Sequence, residues 1–175
     1  MKINKIILSL TICSFAAMAS AQVAIGKNTV NGNDTLLDFD DSVSNYRGII
    51  LPAVDDASTM TLDGNNNGTF VLDKSDETVK YWTESQGWTP LSDEGDASAI
   101  PNNTSDETGE GVIIGAETSD ANGVLVLESA DKAMILPKVH RPHETVKSPY
   151  PGMICYDTDS KTLAVFDGLV WNYWK

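Results

Sequence analysis

PGMICYDTDSKTLAVFDGLVWNYWK, residues 151–175, closes the chain. Two apolar runs flank the polar turn Asp157-Thr158-Asp159-Ser160-Lys161, and a second turn at Asp167-Gly168 leads into an aromatic end. Short apolar runs punctuated by Asp, Gly and Ser are the pattern of antiparallel strands joined by tight turns. In such a meander successive side chains alternate faces. Leu163 and Val165 therefore point one way, and Ala164 and Phe166 the other. Met153 and Cys155 share one side, and Ile154 and Tyr156 the opposite one. Both faces are apolar, whereas a sheet with one wet face alternates apolar with polar. Something must cover each face: another part of the chain, a neighbouring copy, or both.

The stretch has a counterpart upstream. Gly68-Thr-Phe-Val-Leu-Asp73 aligns with Gly152-Met-Ile-Cys-Tyr-Asp157, and Thr78, Val79 and Trp82 align with Thr162, Leu163 and Phe166. Further back, Ile49-Ile50-Leu51-Pro52 matches Met134-Ile135-Leu136-Pro137, and Val23-Ala24-Ile25-Gly26 matches Val112-Ile113-Ile114-Gly115. The same signals recur in the same order, with the drifting offset that small loop insertions produce. This is read as an internal duplication. The expected organisation is a segment 1–21, a first β-module 22–92, an acidic flexible linker 93–110 and a second β-module 111–175. No stretch carries sustained helical spacing. Short helical turns are expected only within Asp55–Met60 and Arg141–Lys147. The fold class is mainly β: two duplicated small antiparallel meanders joined by the acidic linker.

The opening residues set the address. Lys2 and Lys5 precede the apolar run Ile6–Met18, and Ala19-Ser20-Ala21 has the small-x-small form of a signal-peptidase site. Cleavage is expected before Gln22, with export to the outer cell surface, the medium or the periplasm. The run is short for a membrane span, and bulky Ile12 argues against a lipid anchor at Cys13. Removing 1–21 takes two lysines and no acid, leaving ten basic residues against 25 acidic ones, a net charge of −15. That sign disfavours nucleic acid and anionic lipid as partners. Cys155 is then the sole cysteine, so stability must come from packing or assembly rather than an internal disulfide.

Several groupings resemble sites. Asp63-Gly-Asn65-Asn-Asn67-Gly68 matches the first half of a calcium loop, but Lys74 stands where the bidentate Glu belongs, so it reads as a turn. His140 and His143 flank Pro142 and lack further distant ligands, which reads as a solvated loop. Cys155 lies among apolar residues and reads as a small core side chain. No carboxylate pair, nucleophile with a histidine partner or phosphate-cradling glycine loop stands out. No enzyme, cofactor or metal is expected. The aromatics Trp82, Trp88, Phe166, Trp171, Tyr173 and Trp174 gather at matching places in both units. They form either core and interchain seam or, if exposed, a platform for sugar rings.

The run Ile135-Leu136-Pro137-Lys138-Val139, then Pro149-Tyr-Pro-Gly152, Tyr156-Asp-Thr-Asp159, Leu163, Phe166-Asp-Gly168 and Trp171, resembles a module of exported Bacteroidetes surface proteins. Similar segments occur in fibre-like proteins of phage-tail type. The resemblance covers the second unit well and the first loosely. It implies a structural or adhesive role without catalysis, self-association as a homo-oligomer (a trimer), or partnership with other surface proteins. A secreted carbohydrate-binding protein and an accessory subunit of a surface secretion or gliding apparatus are the alternatives.

Overall fold

A computed structural model describes residues 22–102, 104–105, 109 and 111–175. The expected signal segment 1–21 lies outside the described residues. The chain is mainly β, and its described residues form fourteen strands in two runs of seven. The first run is β1 (Val23–Ile25), β2 (Thr35–Phe39), β3 (Ile49–Ile50), β4 (Ala53–Val54), β5 (Thr69–Asp73), β6 (Thr78–Thr83) and β7 (Gly87–Pro90). The second is β8 (Val112–Ile114), β9 (Leu125–Leu127), β10 (Ala133–Met134), β11 (Lys138–Val139), β12 (Met153–Asp157), β13 (Thr162–Phe166) and β14 (Trp171–Trp174). Helical turns occur at Ala57–Thr59 and Pro142–Thr145, inside the two stretches expected to hold them, and also at Gly64–Asn66.

Local turn chemistry explains the meanders. In the closing hairpin Asp157 Oδ1 accepts from the Asp159 amide at 2.9 Å, and Oδ2 accepts from the Ser160 hydroxyl at 2.7 Å. Lys161 supplies the left-handed residue that ends the turn, with φ 59°, and its amide donates to the Asp157 carbonyl. The first half repeats this device: Asp73 accepts from the Ser75 amide and hydroxyl, and Glu77 takes φ 58°. An aspartate that bonds its own backbone two residues on closes a turn without help from distant residues. The registers that follow are Asp73 opposite Thr78 and Asp157 opposite Thr162.

Strand pairing runs in the same order through each half. β4 lies parallel to β5, which leads into antiparallel β6 and β7; β11 lies parallel to β12, which leads into antiparallel β13 and β14. β1 pairs parallel with β2, and β8 parallel with β9. The two short strands β3 and β10 cross between halves. β3 adds antiparallel to β12, and β10 adds parallel to β2.

The apolar faces of the meanders find different covers. Leu51, Leu72, Val79 and Leu91 of the first half pack with Ile154 and Val165 of the second in one core, with Tyr81, Leu136 and Leu163 at its margin. The other face of the last hairpin, Cys155 and Ala164, is covered from within its own half by Val139, Val146 and Trp171. Phe166 on this side is only 8% exposed. The single chain thus buries both faces of its closing hairpin.

The start of the acidic stretch expected as a flexible linker is docked instead. The Gly95 amide donates to the Glu77 carbonyl, and the Asp96 amide to the Asp167 carbonyl, each at 3.0 Å. Ala97 enters the shared core and Ile100 packs beside it. Asp93 and Glu94 stay exposed, so the acidic composition does not oppose this docking. The segment ties β5–β7 to the Asp167-Gly168 turn.

Candidate functional site

The aromatic residues do not form one surface. Trp82 and Trp88 face each other across β6 and β7, both half-buried, and the Trp88 indole donates to the Ala57 carbonyl at 3.0 Å. Phe166 faces Trp171 across β13 and β14, with ring centroids 5.4 Å apart at 48°. The Trp174 indole N–H donates to the Leu91 carbonyl, joining β14 to the end of β7. The Tyr173 hydroxyl bonds His143 Nδ1 at 3.0 Å. Tyr173 and Trp174 are 40% and 46% exposed, so these two present ring surface to solvent while Phe166 does not.

Residue groups of metal-like spacing have local partners. Asp63 Oδ1 accepts from the Asn65 amide at 2.9 Å, and Asn66 Oδ1 accepts from the Asp63 amide at 3.2 Å. These reciprocal bonds cap the Gly64–Asn66 turn. His143 faces Tyr173 and Glu144, and His140 faces Thr158. No group of three or more His, Cys, Asp or Glu converges on one point among the described residues. Cys155 is fully buried, and burial together with the nearby Asp157 charge pushes its thiol up to about 12. A thiol held protonated in the core has no nucleophilic form at neutral pH.

Among the described residues four aspartates, Asp38, Asp73, Asp157 and Asp167, are buried and are the polar posts of the fold. Asp157 also accepts from the Arg141 amide at 3.0 Å, fixing the left-handed Arg141 that starts the Pro142 turn. Asp167 receives the amides of Leu169 and Val170 and the Asn172 amide group. Burial pushes the Asp157 carboxyl up, and the amide and hydroxyl bonds from Asp159, Ser160 and Arg141 outweigh it, so the group lies below its ordinary range. Asp73 shows the same balance, with Lys80 and Ser75 as the stabilising partners. These carboxylates face backbone donors and lysines within the fold, which is a structural arrangement.

An exposed apolar strand pair lies where no site residue was expected. Val112 and Ile113 on β8, with Val124 and Leu125 at β9, are between 36% and 58% exposed. They belong to a two-stranded ladder that pairs with no further strand among the described residues, an arrangement that is marginal on its own. The signal was present in the unbroken runs Val112-Ile113-Ile114 and Val124-Leu125-Val126-Leu127. Their lack of a covering partner depends on tertiary placement and has no sequence marker.

Residues 113–175 match the family model described as a phage tail like trimerisation region. The matched segment begins in β8 and ends beyond β14, and so contains most of the exposed ladder and the whole closing meander. This supports the tail-fibre-like character of the second half. No curated protein and no solved structure matches the chain. Among the described residues no helix is long and apolar enough to cross a membrane.

Proposed function

We propose that the chain is a non-enzymatic structural or adhesive component of a fibre-like assembly at the outer cell surface, working as a homo-oligomer, with three copies as the closed form. The observation that carries this reading is the trimerisation-region match over 113–175. The exposed apolar ladder β8–β9 lies at the start of the matched segment and supplies surface for a second copy to cover. Monomeric proteins rarely leave contiguous apolar strands uncovered. Export rests on the basic-apolar-small pattern of residues 1–21.

Multi-angle light scattering on the exported protein tests the reading. A mass three times that of the chain is expected, and a folded monomer at micromolar concentration rejects it. Intact mass of the secreted form should begin at Gln22. Retention of residues 1–21 removes the export part.

The exposure of Tyr173 and Trp174 favours a second reading, a sugar-binding face at the end of β14. Loss of retention on a polysaccharide column in Tyr173→Ala, with unchanged oligomer mass, would favour it over a purely structural role.

A further inference from the structure

The two crossing strands, β3 and β10, are counterparts in sequence but are used through opposite edges. In β3 the Leu51 amide beside it donates to the Gly152 carbonyl at 3.0 Å, with Ile49 opposite Ile154 and Ile50 opposite Met153. In β10 the Ala133 amide donates to the Asp34 carbonyl and the Ile135 amide to the Leu37 carbonyl, both at 2.9 Å. Backbone donors alternate sides along a strand. The counterparts of Ala133 and Ile135 are Gly48 and Ile50, which face away from β12. The counterparts of Ile49 and Leu51 are Met134 and Leu136, which face away from β2. Each half therefore uses the edge that the other half leaves open.

The receiving edges are unequal in the same way. β12 carries β3 along its first residues, and Met153 and Ile154 are each 5% exposed there. The corresponding residues of β5 are Thr69 and Phe70, where no strand pairs on that side among the described residues. Since Leu72 and Lys74 donate to the β4 side, the Phe70 amide and carbonyl face this empty edge. Phe70 is 37% exposed. A side chain built on Gly152 would touch Leu72 and Leu51, whereas one on Gly68 would meet nothing within 4 Å. Likewise β2 is flanked by β1 and β10, and Leu37 is 1% exposed. Among the described residues its counterpart β9 has β8 alone, and Leu125 is 47% exposed.

We propose that a second copy of this chain fills both vacant places by repeating the pairings already made inside one chain. β10 of one copy lies along β5 of the next, with Ile135 opposite Thr69 and Met134 opposite Phe70. β3 of that next copy lies along β9 of the first, with Ile49 opposite Leu125. The contact deepens the self-association reading above and rests on it. It is head-to-tail, because the edges that meet are different surfaces. A head-to-tail contact closes into a ring when the rotation permits and otherwise extends as a filament. Closure at three copies satisfies every such edge and agrees with the trimerisation-region match. Backbone pairing supplies the link, and alternate apolar side chains select the partner, as in strand addition generally.

Cysteine pairing tests the register. Ile50 and Met153 lie between hydrogen-bonded pairs, so the equivalent Ile135 and Thr69 would have Cα atoms about 4.5 Å apart, within disulfide range. Chains carrying Thr69→Cys are mixed with chains carrying Ile135→Cys and oxidised. A covalent dimer that needs both variants is expected, and the double variant should give a ladder of linked chains. Each variant alone controls for links through Cys13 or Cys155. If light scattering gives an oligomer but the mixture stays unlinked, the edge pairing is overturned while self-association stands. A wild-type monomer overturns both. Hydrogen exchange on the wild-type protein needs no variant. The Phe70 amide should exchange at least tenfold more slowly in the assembly than after dilution to single chains, and equal rates reject the proposal.

Discussion

Leu72→Ala removes three carbons from a side chain that is fully buried where the two meanders meet, against Ile154 and Val165 of the second half. At about 0.8 kcal/mol per buried carbon group the transfer loss is about 2.4 kcal/mol. The cavity left between two rigid sheets raises the cost to roughly 3–5 kcal/mol. Because the core is shared, the loss should appear in the half that was not mutated. Cys155 lies fully buried in β12, which makes its alkylation a reporter of opening in the second half. Labelling followed by intact mass should run about a hundred- to four-thousand-fold faster in the variant, since each 1.4 kcal/mol is a factor of ten. A double-mutant cycle with Val165→Ala should give a coupling of about 0.5–3 kcal/mol, the range for residues in contact. If Leu72→Ala melts β5–β7 while Cys155 labelling rises less than threefold, the two meanders do not share a core and the packing argument fails.

Acid should weaken the fold through its buried carboxylates. Asp38, Asp73 and Asp157 all lie below their ordinary range, so their stabilisation is complete above the unfolded value near 3.9 and is lost as pH falls through the lower folded values. Urea midpoints should hold from about pH 5 to 7 and drop below about pH 4, less steeply in Asp157→Asn; an unchanged slope in that variant removes Asp157 from the account. Gly168 has φ 107°, and a Cβ there would fall on the Asp96 carbonyl, whereas Gly87 has φ 69° and open space. Gly168→Ala should therefore expose the 93–97 segment to proteolysis, while Gly87→Ala costs only the left-handed penalty of roughly 1–2 kcal/mol; equal thermal shifts would contradict this. Trp174→Phe loses the indole bond to the Leu91 carbonyl and should cost about 0.5–1.5 kcal/mol. Emptying buried Phe166 to Ala should cost roughly 3–5 kcal/mol, and a reversed order in denaturant titrations would refute the burial reading.

The hairpins were legible in the residues because their causes are local. Asp157, Ser160 and Lys161 close their own turn, so the register of β12 and β13 follows from a handful of neighbours. Alternation of apolar residues then sorts Val165 from Ala164 between the two faces, and the structure keeps that sorting. Recurrence of Ile49-Ile50-Leu51-Pro52 as Met134-Ile135-Leu136-Pro137 likewise marks corresponding strands. Their partners were not legible. A two-residue strand carries too little pattern to select an edge, so only the folded chain decides that β3 joins β12 and β10 joins β2. The acidic stretch shows the same limit, since composition reports how much can be buried, not whether two amides and one Ala97 methyl find a place between meanders. Burial separates Phe166 from Trp174 for a similar reason: both are large aromatics at the end of one meander, and exposure depends on what packs across from them. Local bonding energies can be read along a chain, but which edges of β5 and β9 stay empty among the described residues emerges only once β3 and β10 have been placed on β12 and β2.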